Sequence, residues 1–160
     1  MPEVLVRVAE YQAARSGSVL VTLGLGSCVA VALHDAEAAV GGLAHVLLPS
    51  LSLSRASGNP GRFPQTAVPL LVQGMGALGA DARRMTARIV GGASMFSSLV
   101  AAGSIQMGER NVVAVREVLG RMNIPIVGEL IGGTLGRSVW FDVGTGRVSV
   151  RSVGAGEHNL

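Results

Sequence analysis

An uncharged run from residue 17 to residue 33 constrains the fold of this chain more than any other feature. The run is of marginal length for a membrane-spanning helix, which needs about 20 apolar residues. Its glycines, serines and β-branched residues favour two buried strands instead. We therefore expect a protein with a strand-rich core and no insertion into a membrane.

The length and composition of the chain predict one domain. It has 160 residues, of which 49% are hydrophobic and 14% charged, so it can bury a sizeable core. The first ten residues, MPEVLVRVAE, carry charges within the apolar run, unlike a signal peptide. The single cysteine cannot form an internal disulfide and suits a reducing compartment. We expect a single domain over residues 1–160, located in the cytoplasm.

The order of apolar patterns indicates the α+β class. Loosely alternating apolar runs predict strands through the first half, and two later segments predict helices with Thr66 and Asn111 as N-caps. Between them, serine, glycine and proline residues predict a long surface loop at about residues 50–64, which we expect to be mobile. About eight largely antiparallel strands with two or three helices fit an α+β fold.

A predicted hairpin at about residues 18–48 carries the only cysteine, Cys28. A turn at Asp35 to Ala38 would place Cys28 directly opposite His45, with the two Cβ atoms about 4.5–5.5 Å apart. A bulge at Gly41–Gly42 would disturb that register. If the thiol and the imidazole meet, an imidazolium lowers the thiol pKa and yields a nucleophilic thiolate.

Residues near Cys28 suit the same chemistry. Thr22, six residues before the thiol, could orient His45 through its hydroxyl or its carbonyl group. Backbone N–H groups around Gly26, Ser27 and Cys28 could bind an oxyanion. The alternative is that Cys28 only packs in the core, as buried cysteines commonly do. The residues by themselves leave both interpretations open.

Several functional classes lack support in the sequence. The segments GLGSC and GGTLGR match neither a dinucleotide fingerprint nor a phosphate-binding loop, so no cofactor is expected. One cysteine and three separated histidines do not form a zinc motif, so no metal is expected. The 13 basic residues are all arginine and are scattered, and aromatic residues make up only 3% of the chain, so no nucleic-acid partner is expected.

Longer segments of the chain resemble the CheD family of bacterial chemotaxis, the chemoreceptor glutamine deamidases. LGSCVAVALHD followed by GGLAHVLLP is similar to the family signature, and IVGGASMF, GERNV and IPIVGELIGGTLGRSVWFDVGTGRV follow in family order. The resemblance covers about residues 18–153. It implies that the catalytic cysteine, histidine and threonine of the family fall on Cys28, His45 and Thr22.

The resemblance implies deamidation of chemoreceptor glutamine side chains to glutamate by a cysteine nucleophile. It also implies a layered β/β/α fold with mixed, largely antiparallel sheets, similar to the cytotoxic-necrotizing-factor deamidases. The implied partners are the cytoplasmic helices of chemoreceptors and a CheC-type phosphatase. Because those receptor helices are rich in Glu and Gln, Arg55 or Arg62 in the long loop is the expected substrate contact.

The chain departs from the family pattern at one residue, and the sequence leaves two alternative functions open. Gln65, in FPQTA, stands where the family often has Asp before the first long helix, so a role of that carboxylate does not transfer. The chain could instead be a weakly catalytic or non-catalytic binding module that regulates the CheC phosphatase, or a thiol hydrolase of another amide. The intact Cys28, His45 and Thr22 argue against a complete loss of catalysis.

Overall fold

The computed structural model describes residues 1–50, 58–94 and 106–160. They contain ten strands, two α-helices and short 3-10 turns at Pro60–Arg62 and Ala82–Arg84. Neither of the two described helices is long and apolar enough to cross a membrane. The elements are β1 (Glu3–Leu5), β2 (Tyr11–Arg15), β3 (Val19–Leu25), β4 (Val29–Asp35), β5 (Val40–Val46), α1 (Pro64–Ala77), β6 (Thr86–Gly91), α2 (Met107–Arg121), β7 (Ile126–Ile131), β8 (Arg137–Asp142), β9 (Val148–Ser152) and β10 (Gly156–Asn159).

The strands form two five-stranded mixed sheets. The outer sheet has the order β1-β3-β8-β9-β10, and the central sheet has the order β2-β5-β4-β6-β7. Six of the eight described strand pairings are antiparallel, and only β1–β3 and β6–β7 are parallel. With α1 and α2 on the far face of the central sheet, the molecule has the layers β/β/α. The α+β class and the layering predicted above are confirmed.

The central sheet is covered on both faces, so β4 and β5 are buried along their whole length. One face packs on the helices through a core that includes Val31 and Leu71. The other face packs on the outer sheet through a core that includes Leu43 and Phe141. A strand covered on both sides needs apolar residues at successive positions, which explains the second half of the uncharged run. In contrast, β8 and β9 alternate because no element among the described residues covers the other face of the outer sheet.

Gly41 and Gly42 of β5 let both neighbouring layers approach the central sheet closely. A Cβ atom on Gly41 would lie 2.9 Å from the ring of Phe141, and one on Gly42 would lie 2.6 Å from Leu71 Cδ1. The β4–β5 ladder runs past both glycines without a register shift. The bulge considered for this dipeptide is therefore not formed, and the two glycines serve close packing.

The β4–β5 turn lies one residue later than predicted. It spans residues 36–39, and the ladder pairs Ala30 with His45 and Val29 with Val46. The predicted direct pairing of Cys28 with His45 is therefore wrong by two residues. Because side chains alternate between the two faces with a period of two, this error leaves Cys28 and His45 on the same face of the sheet.

A buried carboxylate explains the later turn. Asp35 is wholly buried, and it accepts hydrogen bonds from the backbone N–H of Glu37 and Ala38 and from the guanidinium of Arg84. Burial alone raises the pKa of Asp35. The hydrogen bonds from Arg84, Asp81 N and Ala38 N have the opposite effect, as does the positive charge of Arg84. Together they outweigh burial and hold the pKa of Asp35 below its usual range. Asp35 therefore ends β4 instead of belonging to the turn.

Both helices begin earlier than predicted. Helix α1 begins at Pro64, directly after Phe63, so Thr66 lies within its first turn rather than at the cap. Helix α2 begins at Met107, so Asn111 lies inside the helix. The N-cap assignments of Thr66 and Asn111 are both wrong. The side chain of Asn111 therefore makes contacts other than a helix cap.

The long loop predicted at about residues 50–64 is described only at Ser50 and over residues 58–64. Its described end contains the 3-10 turn, and the carbonyl of Arg62 accepts hydrogen bonds from Leu47 N and Leu48 N. This turn is therefore tied to the end of β5, close to His45 along the chain. The mobility of the loop stays a prediction.

Candidate active site

Thr22 of β3 and His45 of β5 meet between the two sheets, and both are wholly buried. The Thr22 hydroxyl donates to the carbonyl of Val6 at 2.5 Å, and its oxygen lies 2.7 Å from His45 Nδ1. Because the hydroxyl hydrogen is used on Val6, the Nδ1–H of His45 must donate to Thr22. The imidazole is thereby held in the tautomer whose Nε2 carries the free lone pair.

The Nε2 atom of His45 has no hydrogen-bond partner among the described residues. Burial lowers the pKa of His45 from its ordinary 6.5 to about 4, so the ring is neutral at pH 7. A buried polar atom without a partner is rare in folded proteins, and each such atom calls for an explanation. General base catalysis supplies one, because a base needs an unoccupied lone pair directed at its substrate proton.

Cys28 lies immediately before β4, at the end of the sheet where β5 carries His45. Its half-buried side chain packs against the core between the sheets, on the face that His45 shares. Since Ala30 is the residue opposite His45, Cys28 and His45 are diagonal neighbours. Diagonal neighbours lie about 7–8 Å apart, a gap that a ring side chain can span. The fold thus brings Thr22, His45 and Cys28 to one end of the inter-sheet layer.

The thiol of Cys28 is not hydrogen-bonded to the ring of His45, whose Nε2 is unpartnered in the described part of the chain. Burial raises the pKa of Cys28, and a hydrogen bond from its own backbone N–H offsets that effect only in part. Thiol and imidazole are therefore both neutral at pH 7. The imidazolium–thiolate pair, which was expected only if the thiol and the imidazole meet, is not formed in this structure and stays a prediction for the reacting state.

A glycine turn after β6 holds the backbone of Cys28. Gly92 N donates to Cys28 O at 2.8 Å, and Ala93 N donates to Gly26 O at 2.9 Å. Gly91 has φ of +116°, and a Cβ atom there would lie 2.3 Å from Cys28 O. Only glycine suits that position, both in conformation and in space.

Asn111 of α2 bonds to the segments that flank Cys28 and His45, a position that the sequence patterns did not predict. It is wholly buried, and its Nδ2 donates to Ser27 O at 2.9 Å and to Leu47 O at 3.1 Å. Its Oδ1 has no partner among the described contacts. Asparagine is a poor former of helix interiors, and its position inside an amphipathic segment was the available signal. Because Asn111 was predicted to be an N-cap, its side chain was not considered for the site.

Arg137 of β8 is a second buried polar residue that the sequence analysis missed. It is 7% exposed, and its Nη1 lies 3.4 Å from Gly91 O. Arg137 lies two residues from Val139, the partner of Thr22 in the β3–β8 ladder. It therefore lies toward the Cys28 end of the layer between the two sheets. Burial lowers its pKa, but a guanidinium keeps its charge at neutral pH. No ion pair in the described part of the chain includes it.

The other predicted site residues have different outcomes. Gly26 and Ser27 are half-buried beside Cys28, and their role toward an oxyanion stays a prediction. Arg55 lies outside the described residues. Arg62 is half-buried in the 3-10 turn beside the end of β5, and its role as a substrate contact stays a prediction. The described residues contain no group of three or more His, Cys, Asp or Glu that could hold a metal ion.

Gln65 anchors the base of the long loop. Its Nε2 donates to the carbonyl of Pro49 at 2.6 Å. An ionised carboxylate has no hydrogen to donate, so an aspartate at this position could not make this bond. The departure from the family pattern therefore changes the chemistry of the loop anchor and lies outside the Cys28–His45–Thr22 cluster.

A family model and the sequence relatives point to one family. A family model described as CheD chemotactic sensory transduction matches residues 47–152. A Desulforamulus reducens protein named "Probable chemoreceptor glutamine deamidase CheD" is 41% identical over 153 residues, which cover 96% of this chain and 92% of that protein. A Clostridium kluyveri protein of the same name is 41% identical over 154 residues, covering 96% and 95%. Among solved structures, Bacillus licheniformis YfiH has a TM-score of 0.47 at 14% identity, covering 78% of this chain and 50% of its own.

Proposed function

This chain belongs to the CheD family, and we propose that it deamidates glutamine side chains of chemoreceptors, with Cys28 as nucleophile and His45 as acid and base. Thr22 orients His45 in this proposal. The observation that carries it is the 2.7 Å contact between Thr22 Oγ1 and His45 Nδ1, which leaves Nε2 without a partner among the described residues, on the face that Cys28 shares.

The first half-reaction forms a thioester. The sulfur of Cys28 adds to the carboxamide carbon of a receptor glutamine, and its proton passes to His45 Nε2 as the sulfur–carbon bond forms. The former amide oxygen gains a negative charge, which N–H groups around Gly26 and Ser27 stabilise. His45 then returns the proton to the amide nitrogen, the carbon–nitrogen bond breaks, and ammonia leaves.

The second half-reaction hydrolyses the thioester. Water adds to the thioester carbon while His45 Nε2 accepts one of its protons. The carbon–sulfur bond then breaks, the sulfur of Cys28 recovers its proton from His45, and a glutamate side chain is released. One water is consumed and one ammonia is formed, and thiol and imidazole return to their neutral starting forms.

Thr22 matters because His45 becomes an imidazolium twice in each cycle. In the imidazolium form both ring nitrogens carry hydrogens, and Nδ1–H stays on the Thr22 oxygen while Nε2–H faces the reacting atoms. The hydroxyl of Thr22 is itself fixed by its bond to Val6 O. The ring therefore keeps one orientation through all four proton transfers, as a positioned general acid and base requires.

Chemoreceptor helices rich in acidic residues are the proposed substrates, and Arg55 and Arg62 are their proposed contacts. The place of Arg62 beside the end of β5 supports this role. Changing both arginines to alanine should weaken binding of a receptor fragment, and more so at low salt, where charges are less screened. Binding that is unchanged at every salt concentration would contradict the role of the two arginines.

A CheC-type phosphatase is the proposed second partner, and the cytoplasm is the proposed location. The family resemblance supports both, and the single cysteine suits a reducing compartment. A Cys28→Ser variant separates binding from catalysis, since it should still bind the phosphatase. Unchanged chemotactic adaptation with this variant would favour the binding-module alternative.

Mass spectrometry of receptor cytoplasmic fragments tests the deamidase activity directly. Wild-type protein should produce a Gln-to-Glu mass shift at defined glutamines, with release of ammonia. Cys28→Ser is nearly isosteric and should fold, but it should produce no shift because a serine hydroxyl is a much poorer nucleophile here. A shift that persists in Cys28→Ser would show that Cys28 is not the nucleophile.

A further inference from the structure

Asn111 contacts both strand ends that carry the proposed nucleophile and base. Its Nδ2 donates to Ser27 O, one residue before Cys28, and to Leu47 O, two residues after His45. Asn111 reaches both carbonyls from the helix layer and is wholly buried. A single side chain therefore joins the two segments whose separation decides whether the thiol and the imidazole can meet.

The β4–β5 ladder stops just short of these segments. Its last pair at this end is Val29 with Val46, so Cys28 and Leu47 lie beyond the backbone pairing. Two acceptors on the hydrogens of one amide nitrogen lie about 5 Å apart, close to the spacing of neighbouring strands. The amide of Asn111 therefore continues the connection between the two strands where their own hydrogen bonds end.

The reach of Asn111 depends on the position of α2, which is set by close packing. A Cβ atom on Gly108 would lie 2.5 Å from the carbonyl oxygens of Gly92 and Ala93, so the first turn of α2 rests directly on this glycine turn. The same turn donates to Cys28 O through Gly92 N. Helix, glycine turn and the backbone of Cys28 form one packed unit.

The chemistry of the side chain is specific to this task. Among uncharged side chains of this length, asparagine alone places two donors on one atom, while aspartate has none when ionised. The Oδ1 atom of Asn111 lacks a partner among the described contacts, and such an atom in a buried position reduces stability. The side chain therefore makes its two donated bonds at the cost of leaving its acceptor unsatisfied.

We propose that Asn111 is a positioning residue of the deamidation reaction. It holds the Cys28 and His45 strand ends at the separation from which the thiol and His45 Nε2 react, and it acts only through the carbonyls of Ser27 and Leu47. This inference rests on the proposed function of Cys28 and His45.

Asn111→Leu and the control Val115→Ala test this role in the full-length protein. Val115 is buried in the same helix, in the core between α2 and the central sheet, so its truncation lowers stability without releasing either carbonyl. We expect Asn111→Leu to fold, as judged by circular dichroism, and to lower kcat about 10-fold or more with little change in KM, because small displacements of reacting groups slow the reaction. Val115→Ala should lower the melting temperature and leave the kcat of the folded protein unchanged.

Alkylation of Cys28 by iodoacetamide gives a second readout that does not depend on turnover. Release of Ser27 O should expose the thiol and move its pKa back toward the ordinary range, so Asn111→Leu should alkylate faster while it deamidates more slowly. Asn111→Ser, which also lacks the paired donors, replaces the leucine variant if that variant does not fold.

Equal kcat and equal alkylation rates in the wild type and the Asn111 variants would overturn the role of Asn111. A Cys28→Ser variant that still deamidates would instead overturn the proposed function. The alkylation rates would even then decide whether Asn111 holds the Cys28 segment in place, so the two failures are distinguishable.

Discussion

The turn end and the open end of the β4–β5 hairpin each bury a histidine against the outer sheet, but the two rings are bonded differently. At the turn end, His34 Nε2 lies 2.8 Å from the carbonyl of Val143, and the ring meets Phe141 edge-on. The neighbouring Asp35 pairs with Arg84 at 2.9 Å. This end is held by the His34–Val143 contact, the Asp35–Arg84 ion pair and aromatic packing.

At the open end, the polar groups are not all satisfied. His45 keeps Nδ1 on Thr22 and leaves Nε2 unpaired, and Asn111 leaves Oδ1 unpaired, within the part of the chain that the structure describes. Cys28 is half-buried and carries a raised thiol pKa. Burial alone therefore does not distinguish the two histidines, whereas the partners of their Nε2 atoms do.

Replacing each histidine with glutamine gives the largest expected difference between the two ends. Glutamine cannot accept and return a proton, so His45→Gln should lower kcat by about 100-fold to 10,000-fold. His34→Gln retains a donor for Val143 O and should change stability more than kcat. Ammonia release from a receptor fragment, measured per folded molecule, checks both. Equal losses of kcat in the two variants would remove the functional distinction between the two ends.

The pH dependence of unfolding distinguishes His45 in a second way. Its pKa is about 4 in the folded protein and about 6.5 when unfolded, so acid protonates the unfolded state first. The stability supplied by the neutral ring is complete above pH 6.5 and is lost as the pH falls toward 4, by about 3 kcal/mol. Urea denaturation at several pH values should show this loss in the wild type. If the stability of His45→Gln falls equally steeply with pH, groups other than His45 cause the loss.

Asp35→Asn tests the turn end. The amide cannot match the charged bonds with Arg84, so the free energy of unfolding should fall by about 2 kcal/mol. Because the pKa of Asp35 is lowered, its contribution is present above the ordinary carboxyl pKa and disappears at lower pH. The kcat of the folded variant should equal that of the wild type. A large loss of kcat without unfolding would show that the turn end also supports catalysis.

Thr22→Val gives the smallest expected effect. Valine keeps the shape of threonine but cannot accept the Nδ1–H bond of His45, so kcat should fall about 10-fold or more while the protein stays folded. Thr22→Ser, which retains the hydroxyl, is the matched control and should keep more of the activity. A wild-type rate in Thr22→Val would mean that the hydroxyl is dispensable and that packing alone orients the ring.

Local patterns in the sequence were sufficient for the α+β class and for placing Cys28 and His45 on one face, whereas the β/β/α layering was implied by the family resemblance. The uncharged run predicted buried strands because a strand covered on both faces has no position for a charge. Cys28 and His45 were correctly placed on one face, although the predicted register was wrong by two residues, because the face of a strand repeats every two residues. The resemblance to the CheD family selected the same three residues.

Tertiary structure decided the features that depend on residues far apart in sequence. The turn begins after Asp35 because Arg84, 49 residues later, binds its carboxylate. Asn111 meets Ser27, 84 residues earlier, whereas the local pattern of the helix could only suggest a cap. The neutral thiol and imidazole follow from burial between two sheets, which no local pattern measures. Periodicity is a property of neighbouring residues, whereas register, protonation and the partners of buried polar atoms are set by the layers that pack around them.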